Sequence, residues 1–283
     1  MNRFILNYLG IFFILLSVLS FFNIIYSYYF NLYLNIDTYF YTFLISAFIG
    51  VISFIKNKIE VKINIYYKIF AVIIGYFIIP LIISIPYYFS IYNLSFLNSY
   101  FESVSGFTST GFTVFSNIKH LDQSLILWRS TSQWIGGIYF LFSILLLIDI
   151  FDDSLKKSLT NFISFNYSEI FKQSFKIFVL YTSLTLFLFF LLKFINLRTF
   201  DSFNIAMTII SSGGFLPVND ISTIVNSNFK EIVFSILMLF SYFSLFLIYN
   251  VLFLKEKSLN FFAEDIYLLT YFLILLVFFF CFF

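Results

Sequence analysis

Long apolar runs separated by short polar stretches recur along the chain, near positions 4–30, 37–55, 69–93, 121–149, 173–195, 230–254 and 266–283. Most reach the roughly 18–20 residues that a helix needs to cross a bilayer core of about 30 Å. The runs are continuous, whereas a transmembrane β-barrel would show ~10-residue segments of alternating polarity. The pattern therefore predicts an all-α, polytopic membrane protein with about seven spanning helices. The first run is too long in its apolar part for a cleaved signal peptide, and no small-residue cleavage site follows it.

Two stretches break this pattern. SFLNSYFESVSGF (95–107) lies between the third and fourth runs, and TFDSFNIAMTII (199–210) between the fifth and sixth. A dozen helical residues rise ~18 Å, little more than half of the hydrocarbon core, so each can enter a membrane but cannot cross it. A polar, glycine-containing segment follows each one: Thr108, Ser109, Thr110, Gly111 and Phe112 in the first, Ser211, Ser212, Gly213, Gly214 and Phe215 in the second. Within SVSGFTSTGFTV (103–114), half of the residues carry hydroxyls. At an offset of 103 residues Ser99 falls on Ser202, Ser109 on Ser212, Gly111 on Gly214 and Phe112 on Phe215. The chain thus reads as two repeats of helix, pore loop and helix in parallel orientation, 69–149 and 173–254.

Lipid cannot satisfy free N–H and C=O groups, so non-helical backbone survives at membrane depth only where protein surrounds it or water lines it. An extended run after a half-length helix implies a pore. Backbone carbonyls and hydroxyls of the two segments then stand in for the hydration shell of a monovalent cation. Gly111 and Gly214 permit backbone angles that a Cβ would obstruct. The negative C-terminal end of each half-helix favours a cation beside it. The plainer alternative, two polar surface hairpins, has to explain why the same loop occurs twice in register behind the same short helix.

Composition narrows the function classes. The chain is 61% hydrophobic and 11% charged, against about 25% charged in an ordinary soluble domain. Its net charge of +2 comes with no basic patch, so nucleic acid is not an expected partner; the lipid bilayer is. If the runs cross alternately, the lysines at 56, 58, 62, 68, 156, 157, 172, 176, 255 and 257 share one side with Arg3, and the positive-inside rule makes the N-terminus cytoplasmic. One cysteine, Cys281, and one histidine, His120, leave no internal disulfide and no Cys/His metal site. His120 lies in an external loop as a solvated side chain, so no serine nucleophile has a base. Asp149, Asp152 and Asp153 read as loop charges. No P-loop or GxGxxG motif occurs. The expectation is a non-enzyme with no cofactor in this chain and no metal beyond a transported alkali cation.

Three further residues flank the first segment. Arg129 opens a span beside Trp128, one turn before Gln133. Its position favours a snorkelling arginine, with Trp128 and Trp134 in the interfacial belt. The functional alternative has it bracing the filter through backbone or Glu102. Glu102 itself either draws cations to the mouth or bonds a neighbour.

SIPYYFS (84–90), FESVSGFTSTGFTV (101–114), WRSTSQWIGG (128–137) and SSGGF (211–215) resemble, in order and spacing, motifs of the TrkH/KtrB/HKT superfamily of potassium transporters. The resemblance covers essentially the whole chain: it implies that 1–55 is an N-terminal helix pair and that 266–283 starts an incomplete third repeat. It implies uptake of K⁺, with Na⁺ as the alternative ion, through a filter to which Gly111 and Gly214 give the first two of four glycines; Glu102, Arg129 and Gln133 are the expected filter supports on the functional reading of their positions. It also implies a bacterial inner-membrane location and a cytosolic nucleotide-binding regulatory subunit docking on 56–68, 151–176 and 255–265. Two departures stand out: Tyr139, where the family keeps a small residue, and Ser241–Tyr242, where it keeps a glycine pair. The sequence stops at Phe283, before a third or fourth filter. The missing repeats are expected from a second polypeptide or, ranked lower, a second copy; the alternative is a non-conducting assembly subunit or truncated remnant.

Overall fold

The computed structural model describes residues 3–54, 64–147 and 167–239, with positions 267, 270, 271, 273 and 274. Within them run eight α-helices: α1 (Arg3–Tyr29), α2 (Ile36–Phe54), α3 (Ile65–Tyr88), α4 (Phe96–Phe107), α5 (Gln123–Leu147), α6 (Tyr167–Phe194), α7 (Thr199–Ile210) and α8 (Asn228–Leu239). No described residue is in a β-strand. Five helical stretches are long and apolar enough to cross a membrane: Phe4–Tyr29, Tyr33–Phe54, Ile65–Tyr88, Gln123–Leu147 and Ser174–Phe194. They match the first five expected spans, and the chain is a membrane protein. The third span stops earlier than the expected 93, because the chain turns after Tyr88 and Asn93 adopts a left-handed φ of 48°. The sixth expected span begins as α8; its remainder, most of the 266–283 span, Ser241, Tyr242 and residues 148–166, with Asp149, Asp152 and Asp153, fall outside the described residues.

Small and hydroxylated residues let the long helices approach one another. On the α1–α2 hairpin a Cβ at Gly10 would meet Ser53, and one at Gly50 would meet Ile14, the close approach that drives helix association where lipid gives no hydrophobic incentive. Thr42, Ser46 and Ser53 return their hydroxyls to carbonyls one turn back, at 2.8, 2.6 and 2.7 Å, so these buried polar groups need no water. Ser20 crosses instead to the Tyr39 carbonyl at 2.7 Å.

The central strut is α5, which touches α1, α3, α4, α6 and α7. Of its most apolar stretch 72% is buried, against 33–50% for the other four spans. Two features of α5 explain how α4 is seated. Gly136 lies against the Phe107 carbonyl at the end of α4, where any Cβ would overlap backbone. One turn on, Tyr139 fills the space that a small residue would leave open. Its ring packs against Phe12, Tyr76 and Phe107 at centroid distances of 4.7, 4.9 and 5.1 Å, and its hydroxyl donates to the Val72 carbonyl at 2.7 Å. Gly75 on α3 provides the slot, since a Cβ there would overlap the Tyr139 hydroxyl. The bulk that departs from the family pattern is thus absorbed by a glycine on the facing helix.

Candidate functional site

The half-helices α4 and α7 each have 12 residues and begin and end 103 positions apart. The register persists in the hydrogen bonds that follow them. Thr108, Ser109 and Thr110 donate their amides to the carbonyls of Val104, Gly106 and Ser105 at 2.8, 2.9 and 2.9 Å; Ser211, Ser212 and Gly213 donate theirs to Met207, Ile209 and Thr208 at 3.3, 3.0 and 2.8 Å. Both ends are Schellman-type caps. Each places a serine in the left-handed region, Ser109 at φ 55° and Ser212 at φ 53°, a conformation that costs a non-glycine residue about 1–2 kcal/mol. The Ser105 hydroxyl then donates to the Phe112 carbonyl at 2.6 Å, and the Thr208 hydroxyl to that of Phe215 at 2.8 Å. Each half-helix thereby ties the extended segment back against its own flank. Matching 3-10 turns follow at Ile118–His120 and Ile221–Thr223, capped by the side chains of Asn117 and Asp220.

The two segments meet at their glycines. Gly111 has φ +82°, and a Cβ built on it would lie 2.5 Å from the Gly214 Cα. Beside this contact Thr108, Thr110 and Gly214 are exposed, and Ser109, Gly111 and Gly213 partly so. The Thr108 and Thr110 hydroxyls lie 2.7 Å apart. The equivalence lapses at the phenylalanines: Phe112 is 68% exposed and Phe215 1%. Ser211 is likewise buried, its hydroxyl donating to the Met207 carbonyl at 2.9 Å.

Behind the segments lies a buried ion pair. Arg129 Nε donates to Glu102 Oε1 at 2.8 Å, with 1% and 0% of the two side chains exposed. Glu102 also accepts from the Thr113 hydroxyl at 3.0 Å and from the Val114 amide at 2.9 Å. The favoured expectation that Arg129 snorkels is therefore wrong. Its position at a helix start is not at a lipid interface, because α4 and both extended segments enclose it. Trp128 and Trp134 are not interfacial either: both are buried, donating to the Ile83 carbonyl and the Thr185 hydroxyl at 3.0 Å each. Arg129 Nη1 reaches the Leu216 carbonyl at 3.4 Å, and its guanidinium lies 4.2 Å from the centre of the Phe215 ring. Gln133 accepts from the Phe215 amide at 3.3 Å. His120 is exposed. Among the described residues no group of three His, Cys, Asp or Glu side chains could hold a metal.

Several residues that shape this site were not singled out from sequence. Ser105 and Thr208 were detectable, being hydroxyls at equivalent positions of the repeat. Thr113, and the clasp of Asn117 with Asn219, in which Asn219 donates to Asn117 at 2.9 Å and accepts from the Ile118 amide at 2.5 Å, join segments whose pairing only the fold decides.

No family model matches the chain. An uncharacterized cation transporter of Methanocaldococcus jannaschii is 27% identical over 213 residues, 69% of this chain and 43% of that protein. The Trk system potassium uptake protein TrkI of Halomonas elongata is 43% identical over 60 residues, 21% of this chain and 11% of its own. The crystal structure of the potassium transporter TrkH from Vibrio parahaemolyticus superposes with a TM-score of 0.72 at 20% identity, over 88% of this chain and 52% of that one. The chain spans about half the length of that structure and less than half of the archaeal relative. It has the TrkH fold over that shared part, and in both fold and sequence it resembles the TrkH/KtrB/HKT superfamily of potassium transporters.

Proposed function

We propose that this chain conducts K⁺, with Na⁺ as the alternative ion, and that Thr108–Phe112 and Ser211–Phe215 line the path. The observation that carries this reading is the meeting of two identically capped half-helices at Gly111 and Gly214. Backbone oxygens at such a junction replace water around a dehydrated alkali ion, and the half-helix ends add a favourable potential. Glu102, Arg129 and Gln133 support the path from behind. The relatives, by their names, move cations or take up potassium.

Two segments enclose only part of an ion, so two further ones complete the ring, supplied by a second polypeptide or a second copy. The chain sits in a bacterial inner membrane with its N-terminus cytoplasmic, and a cytosolic nucleotide-binding subunit regulates it from that side. Gly111→Ser and Gly214→Ser each intrude on the glycine contact and are expected to lower K⁺ preference over Na⁺ in cells that depend on this chain for potassium. Unchanged preference in both variants counts against the path. Wild-type chain that passes no cation, alone or in its native assembly, leaves the non-conducting reading.

A further inference from the structure

The two repeats hold their filter segments by different means. In the first, Glu102 gathers Arg129, the Thr113 hydroxyl and the Val114 amide. At the same offset of 103 the second repeat has Ile205 for Glu102, Leu216 for Thr113 and Pro217 for Val114; α8 begins 105 positions after α5, which puts the buried Phe234 in the place of Arg129. Pro217 has no N–H to give, and Ile205 is buried, so every member of the polar clasp has an apolar replacement. The second segment is instead gripped from the first repeat. Gln133 accepts from the Phe215 amide, Arg129 reaches the Leu216 carbonyl, and the guanidinium packs on the Phe215 ring. A Cβ at Gly213 would overlap the Gln133 amide group, so that side chain lies directly against the segment's backbone.

We propose that Arg129 and Gln133 are positioning residues for the second filter segment, and that α5 of the first repeat thereby sets the spacing between the two segments and with it the ion preference. The inference rests on the conduction reading for its consequence, but its geometry can be tested separately. Arg129→Lys keeps a cation beside Glu102 while losing the planar fork that stacks on Phe215 and reaches Leu216. Gln133→Leu keeps the bulk and removes the acceptor, leaving the Phe215 amide unpaired.

The test pairs these variants with a cysteine cross-link across the outer turns, Asn117→Cys with Asn219→Cys in a Cys281→Ser background, in the full-length chain in its native membrane. Disulfide formation is expected to slow about tenfold in each variant, the effect of one lost hydrogen bond of this kind, with membrane abundance unchanged. In the conducting assembly without the cysteines, K⁺ preference over Na⁺ is expected to fall by a similar factor. Unchanged cross-linking in both variants overturns the proposal. So does failure of both to accumulate, which would assign the pair to folding. The cross-link needs no transport, so a wild-type chain that moves no ions defeats the conduction reading while this readout still decides the positioning role.

Discussion

Glu102 and Arg129 show how much of a residue's role depends on what encloses it. Two ions brought out of water repay their desolvation only when every lone pair and proton is engaged, and breaking such a pair leaves a buried charge at a cost of about 3–5 kcal/mol. Glu102 meets this condition with three donors. Glu102→Leu and Arg129→Met are each expected to lower stability by that order, measured by thermal unfolding in detergent. The double variant is expected to be less destabilised than the two single losses added together, because no charge is left unpaired. Sequence marked both residues but offered their meeting only as the less favoured alternative: an arginine beside a tryptophan at a helix start fits a lipid interface equally well, and only the packing of α4 on α5 removes that option. A second test at this scale lies on the exposed turn after the second segment. The Ser222 amide, donating to Asp220 at 3.0 Å, lowers that carboxyl from its usual 3.8. A lowered value means the cap is fully effective above the ordinary carboxylate range and is lost as pH falls through the lowered value. Amide protection at residues 221–223, measured relative to the intrinsic exchange rate at each pH, is expected to fall with acidification below about pH 4. Asp220→Asn, an equally good cap, is expected to abolish that pH dependence.

At the scale of elements, length was the most legible feature. A dozen apolar residues cannot span a membrane, and both predicted half-helices occur; the second has the bounds read from sequence, Thr199–Ile210. The repeat was equally visible, since glycines and hydroxyls recur at one spacing, and the structure carries that spacing on into the caps, the left-handed serines and the 3-10 turns. Less legible was how the elements seat. Tyr139 read as unwanted bulk because its slot, Gly75, lies on a different helix with no periodic relation to it. Gly136 belongs to the same seat. Gly136→Val would drive side-chain atoms into the Phe107 carbonyl, and overpacking of this kind costs about 1–3 kcal/mol or displaces the element. The expected outcome is a chain that inserts but shows reduced cation uptake and a lower unfolding temperature, while valine at the exposed Phe140 on the same helix leaves both near wild type. Equal behaviour of the two variants would remove the special role of the α4–α5 contact.

For the molecule as a whole, the described fold holds two capped, glycine-containing segments and spans about half of the solved structure that it superposes on. On the proposed reading the ion path is a ring, which further segments would close at the exposed edges of Thr108, Thr110, Phe112 and Gly214. The conducting unit extracted in mild detergent is therefore expected to contain two more segments of the same type. A unit that conducts with these two segments alone would contradict this. The central claim, that the glycine junction holds a dehydrated alkali cation, is tested most directly by locating Rb⁺ or Tl⁺ through anomalous scattering in crystals of the native assembly. The account predicts a peak bounded by backbone oxygens of residues 108–112 and 211–215 together. Saturating ion with no peak between those segments would contradict it.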